Sequence, residues 1–171
     1  PCIPMGIYGN LKYAGELIVK AYNQVFNLPF TIIRPSALYG ERCVSRRVGQ
    51  IFIEHAVQGL DITIHGDGTE KLDFTYIEDL TNGVCLVLEK EQAKNQTFNM
   101  TYGEARSIFD IADMLKRNFN GIKINFKKKD TLMPERGTLD VGKASTIIGY
   151  NPKFPIENGY SKYINWYKNF R

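Results

Sequence analysis

Tyr8-Gly9-Asn10-Leu11-Lys12 is the stretch on which the reading of this chain turns. If residues 8 to about 27 form a helix, the four-residue spacing sets the phenol and the ammonium on one face, a turn apart. A tyrosine hydroxyl ordinarily titrates at about 10 and is a poor base at neutral pH. A cation held beside such a phenol favours the phenolate and brings it toward the working range. A pair of this kind can take a proton from a substrate hydroxyl and later return it. Taken alone, Y-x-x-x-K is a weak signal. The two residues fall at this spacing often by chance, and the bare pair also fits a solvated helix face.

Working outward, the helix expected over residues 9–27 carries Leu11, Ala14, Leu17, Ile18, Ala21, Tyr22 and Val25 at helical spacing. Asn27 and Pro29 close it. Either all of these positions face the molecule's own sheet, or one side packs against the same helix of a second copy, and the breadth of the stripe leans toward the second. Phe30-Thr31-Ile32-Ile33 follows as the β-branched run of a buried strand. Next comes a turn with Arg42, Arg46 and Arg47, in which Ser45 is expected to cap a helix over residues 46–58 that Gly59 ends. Arginines at a helix N-terminus suit a phosphate, because guanidinium forks and free N–H groups converge there; a solvated or acid-paired basic turn is the bland alternative.

A strand is expected over residues 61–64 and an extended segment over 73–79. Asp79 should then open a helix to Glu91 and satisfy its free N–H groups. Residues 97–100 read as a further strand. Ser107 begins an amphipathic helix with Ile108, Ile111, Ala112, Leu115 and Phe119 on one face, stopped by Asn120-Gly121. A strand over 122–126 ends in Lys127-Lys128-Lys129, a solvated edge that discourages pairing. Helices over 141–148 and 156–169 complete the chain, with Trp166 expected in the core.

Composition excludes several classes. With 171 residues, 43% hydrophobic and 23% charged, the chain is an ordinary globular protein with enough length for a core. It has no apolar run near the roughly 20 residues of a membrane helix and opens on no signal peptide. Cys2, Cys43 and Cys85 form no C-x-x-C, so neither a disulfide framework nor a zinc site is indicated, and reduced thiols in a cytoplasmic protein are the simple reading. His55 and His65 make no H-E-x-x-H, and no metal site is expected. A net charge of +4 is too small to call for nucleic acid, and agrees weakly with an anionic substrate.

Tyr8-Gly9-Asn10-Leu11-Lys12-Tyr13-Ala14-Gly15-Glu16 resembles the active-site helix of extended short-chain dehydrogenases/reductases, the nucleotide-sugar epimerases and dehydratases. The likeness continues through Ile33-Arg34-Pro35-Ser36-Ala37-Leu38-Tyr39-Gly40, His65-Gly66-Asp67-Gly68 and Asp73-Phe74-Thr75-Tyr76-Ile77-Glu78-Asp79. It ends in Asp140-Val141-Gly142-Lys143-Ala144, Gly149-Tyr150-Asn151-Pro152 and Asn165-Trp166-Tyr167. The resemblance implies an α/β fold: the C-terminal part of a Rossmann-like doubly wound parallel sheet plus a small α/β substrate-binding domain. Residues 1–40, 66–79 and 96–101 would belong to the dinucleotide-binding domain, and 41–65 with 102–171 to the substrate-binding one.

It also implies Tyr8 as general acid/base, Lys12 as its partner and as a ligand of the nicotinamide ribose, and Pro35 and Ser36 beside the nicotinamide of NAD or NADP. Arg46, Arg47 and Arg136 are the candidates for a nucleotide-diphosphate sugar, and a homodimer through helix 9–27 is expected. The family's usual asparagine and arginine are replaced by Ala37 and Leu72, so its sugar and diphosphate contacts are not carried over. No G-x-G-x-x-G precedes Tyr8. The expectation is therefore a C-terminal half, inactive alone, with a non-catalytic dimerising or binding module as the alternative.

Overall fold

Helix α1 (Gly6–Phe26) carries the Tyr8–Lys12 stretch. Asn27 closes it in the left-handed region at φ 52°, a conformation asparagine tolerates better than most side chains. The computed structural model describes residues 3–129 and 136–170; Cys2 and the Pro134-Glu135 part of the Arg136 loop lie outside the described residues. After α1 come β1 (Thr31–Arg34), β2 (Leu38–Tyr39), α2 (Val48–Val57), β3 (Ile62–His65), β4 (Lys71–Leu72), β5 (Thr75–Tyr76) and α3 (Ile77–Glu89). Then follow β6 (Gln96–Asn99), β7 (Arg106–Ser107), α4 (Ile108–Asn118), β8 (Ile124–Lys127), α5 (Gly142–Ile148) and α6 (Ile156–Asn169).

Among the described residues three of the four strand pairs are parallel: β1 with β6, β2 with β5 and β3 with β8. Parallel neighbours need a crossover between them, and helices supply it here, which makes the architecture α/β. The fourth pair, β4 with β7, is antiparallel and sets Leu72 opposite Arg106. Alternation along β4 buries Leu72 and exposes Lys71, so the lysine does not stand in for a residue at position 72.

Two apolar clusters hold these elements. The larger joins Phe52 and Ile53 of α2, Ile62 and Ile64 of β3, Ile111 and Leu115 of α4, and Tyr160, Tyr163 and Ile164 of α6 around Tyr39 and Tyr76. The smaller gathers Phe98, Met100, Ala144, Ile148 and Tyr150. Each such side chain, fully buried, is worth about 1.5–3 kcal/mol. Trp166 packs against the larger cluster, partly buried.

The aromatic core leaves no room at Gly159. A Cβ there would lie 2.2 Å from the Tyr39 hydroxyl, and Tyr39 is walled in by Phe74, Tyr76, Tyr160 and Tyr163. Gly159→Ala is expected to cost about 1–3 kcal/mol by overpacking, more than the roughly 1 kcal/mol that alanine gains in a helix. The Tyr39 hydroxyl is buried and has no hydrogen-bond partner among the described residues. Tyr39→Phe should therefore be neutral or stabilising and should rescue most of the Gly159→Ala loss in urea unfolding.

Two local expectations are corrected. Ser45 does not cap α2: the helix starts at Val48, Arg47 stands at the N-cap, and no side chain caps it. Asp79 lies in the first turn of α3, at the end of its dipole that favours a carboxylate, but caps none of its N–H groups. Its carboxylate accepts from the backbone N–H groups of Lys153 (2.8 Å) and Phe154 (3.0 Å), pinning the segment ahead of α6.

Helix α1 buries none of its residues. Ile7, Leu11, Ile18, Tyr22, Val25 and Phe26 are all exposed, an apolar face larger than solitary chains usually leave to water. Among the described residues β1 has one strand neighbour, so its other edge is unpaired. The chain is expected to self-associate with rising concentration, and Ile18→Lys to reduce it. A monodisperse wild-type monomer in sedimentation runs would contradict this.

Candidate functional site

Tyr8 and Lys12 meet as their spacing requires, with the ammonium 5.8 Å from the centroid of the phenol ring. Tyr8 is 70% exposed, so the hydroxyl is open to an incoming molecule. Two turns further along α1, Glu16 takes a bidentate ion pair from Arg34 at the end of β1, at 2.7 and 2.5 Å. The Arg34 hydrogen bond holds the Glu16 carboxyl below the usual range. Through this pair α1 is fixed beside the carboxyl end of a parallel strand, where open α/β sheets place ligands.

Pro35 and Ser36 follow directly on Arg34, Pro35 exposed and Ser36 partly buried. The Ser36 carbonyl accepts the Thr75 hydroxyl at 2.8 Å, which ties this turn to β5. Beyond it, Gly40 at φ 147° passes Ile77 so closely that a Cβ would fall 2.4 Å from its Cγ2, leaving glycine as the residue that fits. Tyr76 donates to the Glu41 carboxylate at 2.8 Å. Burial, and then that carboxylate, push the Tyr76 phenol far up, so it stays a protonated donor.

A buried carboxylate, Asp73, organises the next layer. It accepts from the Thr101 hydroxyl (2.8 Å), the Gly103 N–H (3.1 Å) and the Leu139 N–H (3.0 Å). The segment carrying Arg136 is thereby anchored to the end of β4, with Ala105 N–H donating to Thr138 Oγ1 as a second tie. Arg136 itself is exposed.

The three candidate arginines do not share one setting. Arg46, at φ 44°, is held by Glu54 through Nε and Nη2 at 3.2 and 3.0 Å, whereas Arg47 is exposed at the N-cap of α2. Glu54, 9% exposed, also accepts from Gln50 Nε2 at 2.8 Å and the Tyr167 hydroxyl at 3.3 Å. Burial pushes its carboxyl up, but the bonds from Gln50 and Arg46 outweigh burial and leave it below its ordinary value. Glu54 and Asp73 were not singled out as site residues from sequence. For Glu54 the spacing Arg46, Gln50, Glu54, four and four along α2 and its approach, was a usable signal.

Gly66 and Gly68, at φ 98° and 82°, turn the chain between β3 and β4 rather than from a strand into a helix, so they form no phosphate cradle of that kind. No described helix is long and apolar enough to cross a membrane. Among the described residues no group of three or more His, Cys, Asp or Glu could hold a metal.

Comparison with known proteins bears on the family and the fold. Residues 1–101 match the model of the NAD dependent epimerase/dehydratase family. A putative UDP-glucose 4-epimerase of Methanocaldococcus jannaschii is 31% identical over 99% of this chain and 55% of its own. The UDP-glucuronic acid 4-epimerase of Bacillus cereus, solved with UDP-glucuronic acid and NAD, superposes with TM-score 0.93 at 30% identity, covering 100% of this chain and 55% of that one. The UDP-glucose 4-epimerase of Thermotoga maritima, solved with UDP-glucose, gives 0.88 at 25% identity over 95% and 53%. The chain thus spans about half the length of the relatives it matches. Its α/β architecture, with parallel strand pairs, is that of the Rossmann-fold epimerases, and the chain belongs to the NAD dependent epimerase/dehydratase family.

Proposed function

We propose that these residues form the acid/base and substrate-binding half of an NAD(P)-dependent nucleotide-sugar epimerase or dehydratase, with Tyr8 as the proton-carrying group. The observation that carries this is the juxtaposition of an exposed Tyr8 with Lys12 on α1, fixed by Glu16–Arg34 beside the ligand end of β1. In this reading residues 1–40, 66–79 and 96–101 serve the cofactor side, and 41–65 with 102–171 the sugar-nucleotide side.

The residues present fit one end of a dinucleotide. Tyr8, Lys12, Pro35 and Ser36 offer a proton carrier, a cation and a turn for the nicotinamide-ribose end. The one glycine cluster, Gly66 and Gly68, joins two strands and cannot cradle a pyrophosphate at a helix N-terminus. When bound, the nicotinamide would supply the hydride acceptor. The chain's own contribution is the proton: Tyr8 removes it from the sugar hydroxyl as the carbon is oxidised and returns it in the reverse sense. Lys12 keeps positive charge beside the phenolate that takes the proton. Arg47 and Arg136, exposed on loops held by buried carboxylates, meet the anionic nucleotide.

The 171-residue chain alone is proposed not to turn substrate over. The test is NMR of UDP-glucose, UDP-glucuronate and dTDP-glucose incubated with NAD and either this chain or the complete product of its gene. Conversion by the complete product, none by the chain alone, is expected. An inactive complete product would overturn the catalytic reading and leave the second one, a dimerising module, which the uncovered apolar face of α1 favours.

A further inference from the structure

Arg46, Gln50 and Glu54 close a ring of hydrogen bonds at the mouth of α2. The Arg46 N–H donates to Gln50 Oε1 at 3.2 Å. Gln50 Nε2 donates to Glu54 Oε1 at 2.8 Å, and the Arg46 guanidinium donates to Glu54 Oε2 at 3.0 and 3.2 Å. From α6, Tyr167 adds its hydroxyl to Glu54 Oε1 at 3.3 Å. Gln50 and Glu54 are buried, so the bond between them is shielded from competing water, while Arg46 closes the ring from the exposed side.

Several features follow from the ring rather than from a surface ion pair. It holds Arg46 at φ 44°, a left-handed conformation that an arginine does not choose unaided. Arg42, four residues earlier, is also left-handed at φ 62°, so the 41–47 loop holds two conformations that cost strain in a non-glycine residue. Arg46 turns its Nε and Nη2 toward Glu54 Oε2, so this edge of the guanidinium is committed to the carboxylate, although the side chain is 64% exposed. Arg47, the next residue, has extended backbone at φ −73°, ψ 166° and an exposed side chain at the helix N-terminus.

We infer that Glu54 is a positioning residue. By locking Arg46 it fixes the turn that presents Arg47, and not Arg46, to the phosphates of the substrate. The inference rests on the nucleotide-sugar reading above and deepens it, dividing two adjacent arginines into an anchor and a ligand. The same lock makes α6 part of the device, since Tyr167 grips the carboxylate from that helix.

Titration calorimetry of the chain with UDP at two salt concentrations tests it, alongside amide hydrogen exchange without ligand. Arg47→Ala should weaken UDP about tenfold, as loss of one charge-assisted phosphate contact does, and should make binding less sensitive to salt. Glu54→Gln and Arg46→Ala should each weaken UDP by a similar factor, with the double variant no worse than about either single, because both break one lock. Arg46→Lys should behave as Arg46→Ala, since a lysine keeps the charge but not the fork. In Glu54→Gln the Arg46 amide should exchange about tenfold faster or more. If Arg46→Lys binds as wild type, or Arg46→Ala flattens the salt dependence as Arg47→Ala does, Arg46 is itself the ligand and the inference falls. Wild-type binding left intact by Glu54→Gln, with unchanged exchange at Arg46, removes the lock alone and leaves the functional reading standing. No UDP binding by the wild type removes both.

Discussion

Replacing Tyr8 with phenylalanine is expected to lower turnover of the complete gene product by about 10²–10⁴, the usual worth of a positioned acid/base group, with nucleotide-sugar affinity nearly unchanged. The argument is local. The phenol is exposed on α1, and its described contact is with the Lys12 ammonium over the ring. Removing one oxygen leaves that ring and helix as they were. Stability should move by less than about 0.5 kcal/mol, as for other surface changes away from special contacts, so any lost activity reads on chemistry alone. Lys12→Met should follow the same direction with a smaller loss, because the phenolate would lose its nearest cation. Activity that survives Tyr8→Phe would remove the proton-carrying role.

The largest stability effect belongs to Asp73. Its carboxylate is 0% exposed and receives Thr101, Gly103 and Leu139. Asp73→Ala takes the acceptor from the buried Thr101 hydroxyl and from two partly buried N–H groups, each worth up to about 1–3 kcal/mol. Allowing for water entry, the total loss is expected at roughly 3–5 kcal/mol in urea unfolding, a large share of a typical domain's stability. Asp73→Asn should recover part of this, because one oxygen remains while the amide nitrogen faces a donor. A loss under about 1 kcal/mol in Asp73→Ala would show that the loop at 136–140 is held by other contacts.

Local signals carried most of the fold. The Asn27 stop of α1, the end of α5 at Ile148 and the span of α6 were all readable from punctuation and apolar spacing. Ser107 caps α4 in a full capping box with Asp110, at the place where the periodic pattern begins. The two-residue strands β2, β4, β5 and β7 were not separately legible, since a pair of residues shows no periodicity. Ser45 failed as a cap because the Arg46 turn, folded onto Glu54, displaces the start of α2 to Val48. Asp79 failed in the same way, as tertiary demand from Lys153 and Phe154 outcompeted the local helix.

At the site, Tyr8 and Lys12 were legible because both lie on one helix, where spacing alone brings them together. The settings of Arg46, Arg47 and Arg136 were not. Arg46 depends on a carboxylate eight residues away and a tyrosine on the last helix, and the Arg136 segment depends on Asp73. Such contacts are set by how elements pack, which no window of sequence contains.

Calorimetric titration of this chain with UDP and, separately, with NAD tests the central claim most directly. The account predicts saturable binding of UDP, weakened by Arg47→Ala, and no saturable binding of NAD by these residues alone. Saturable binding of NAD with none of UDP would contradict it, since the chain would then be a cofactor-binding unit and not the substrate-binding half of an epimerase or dehydratase.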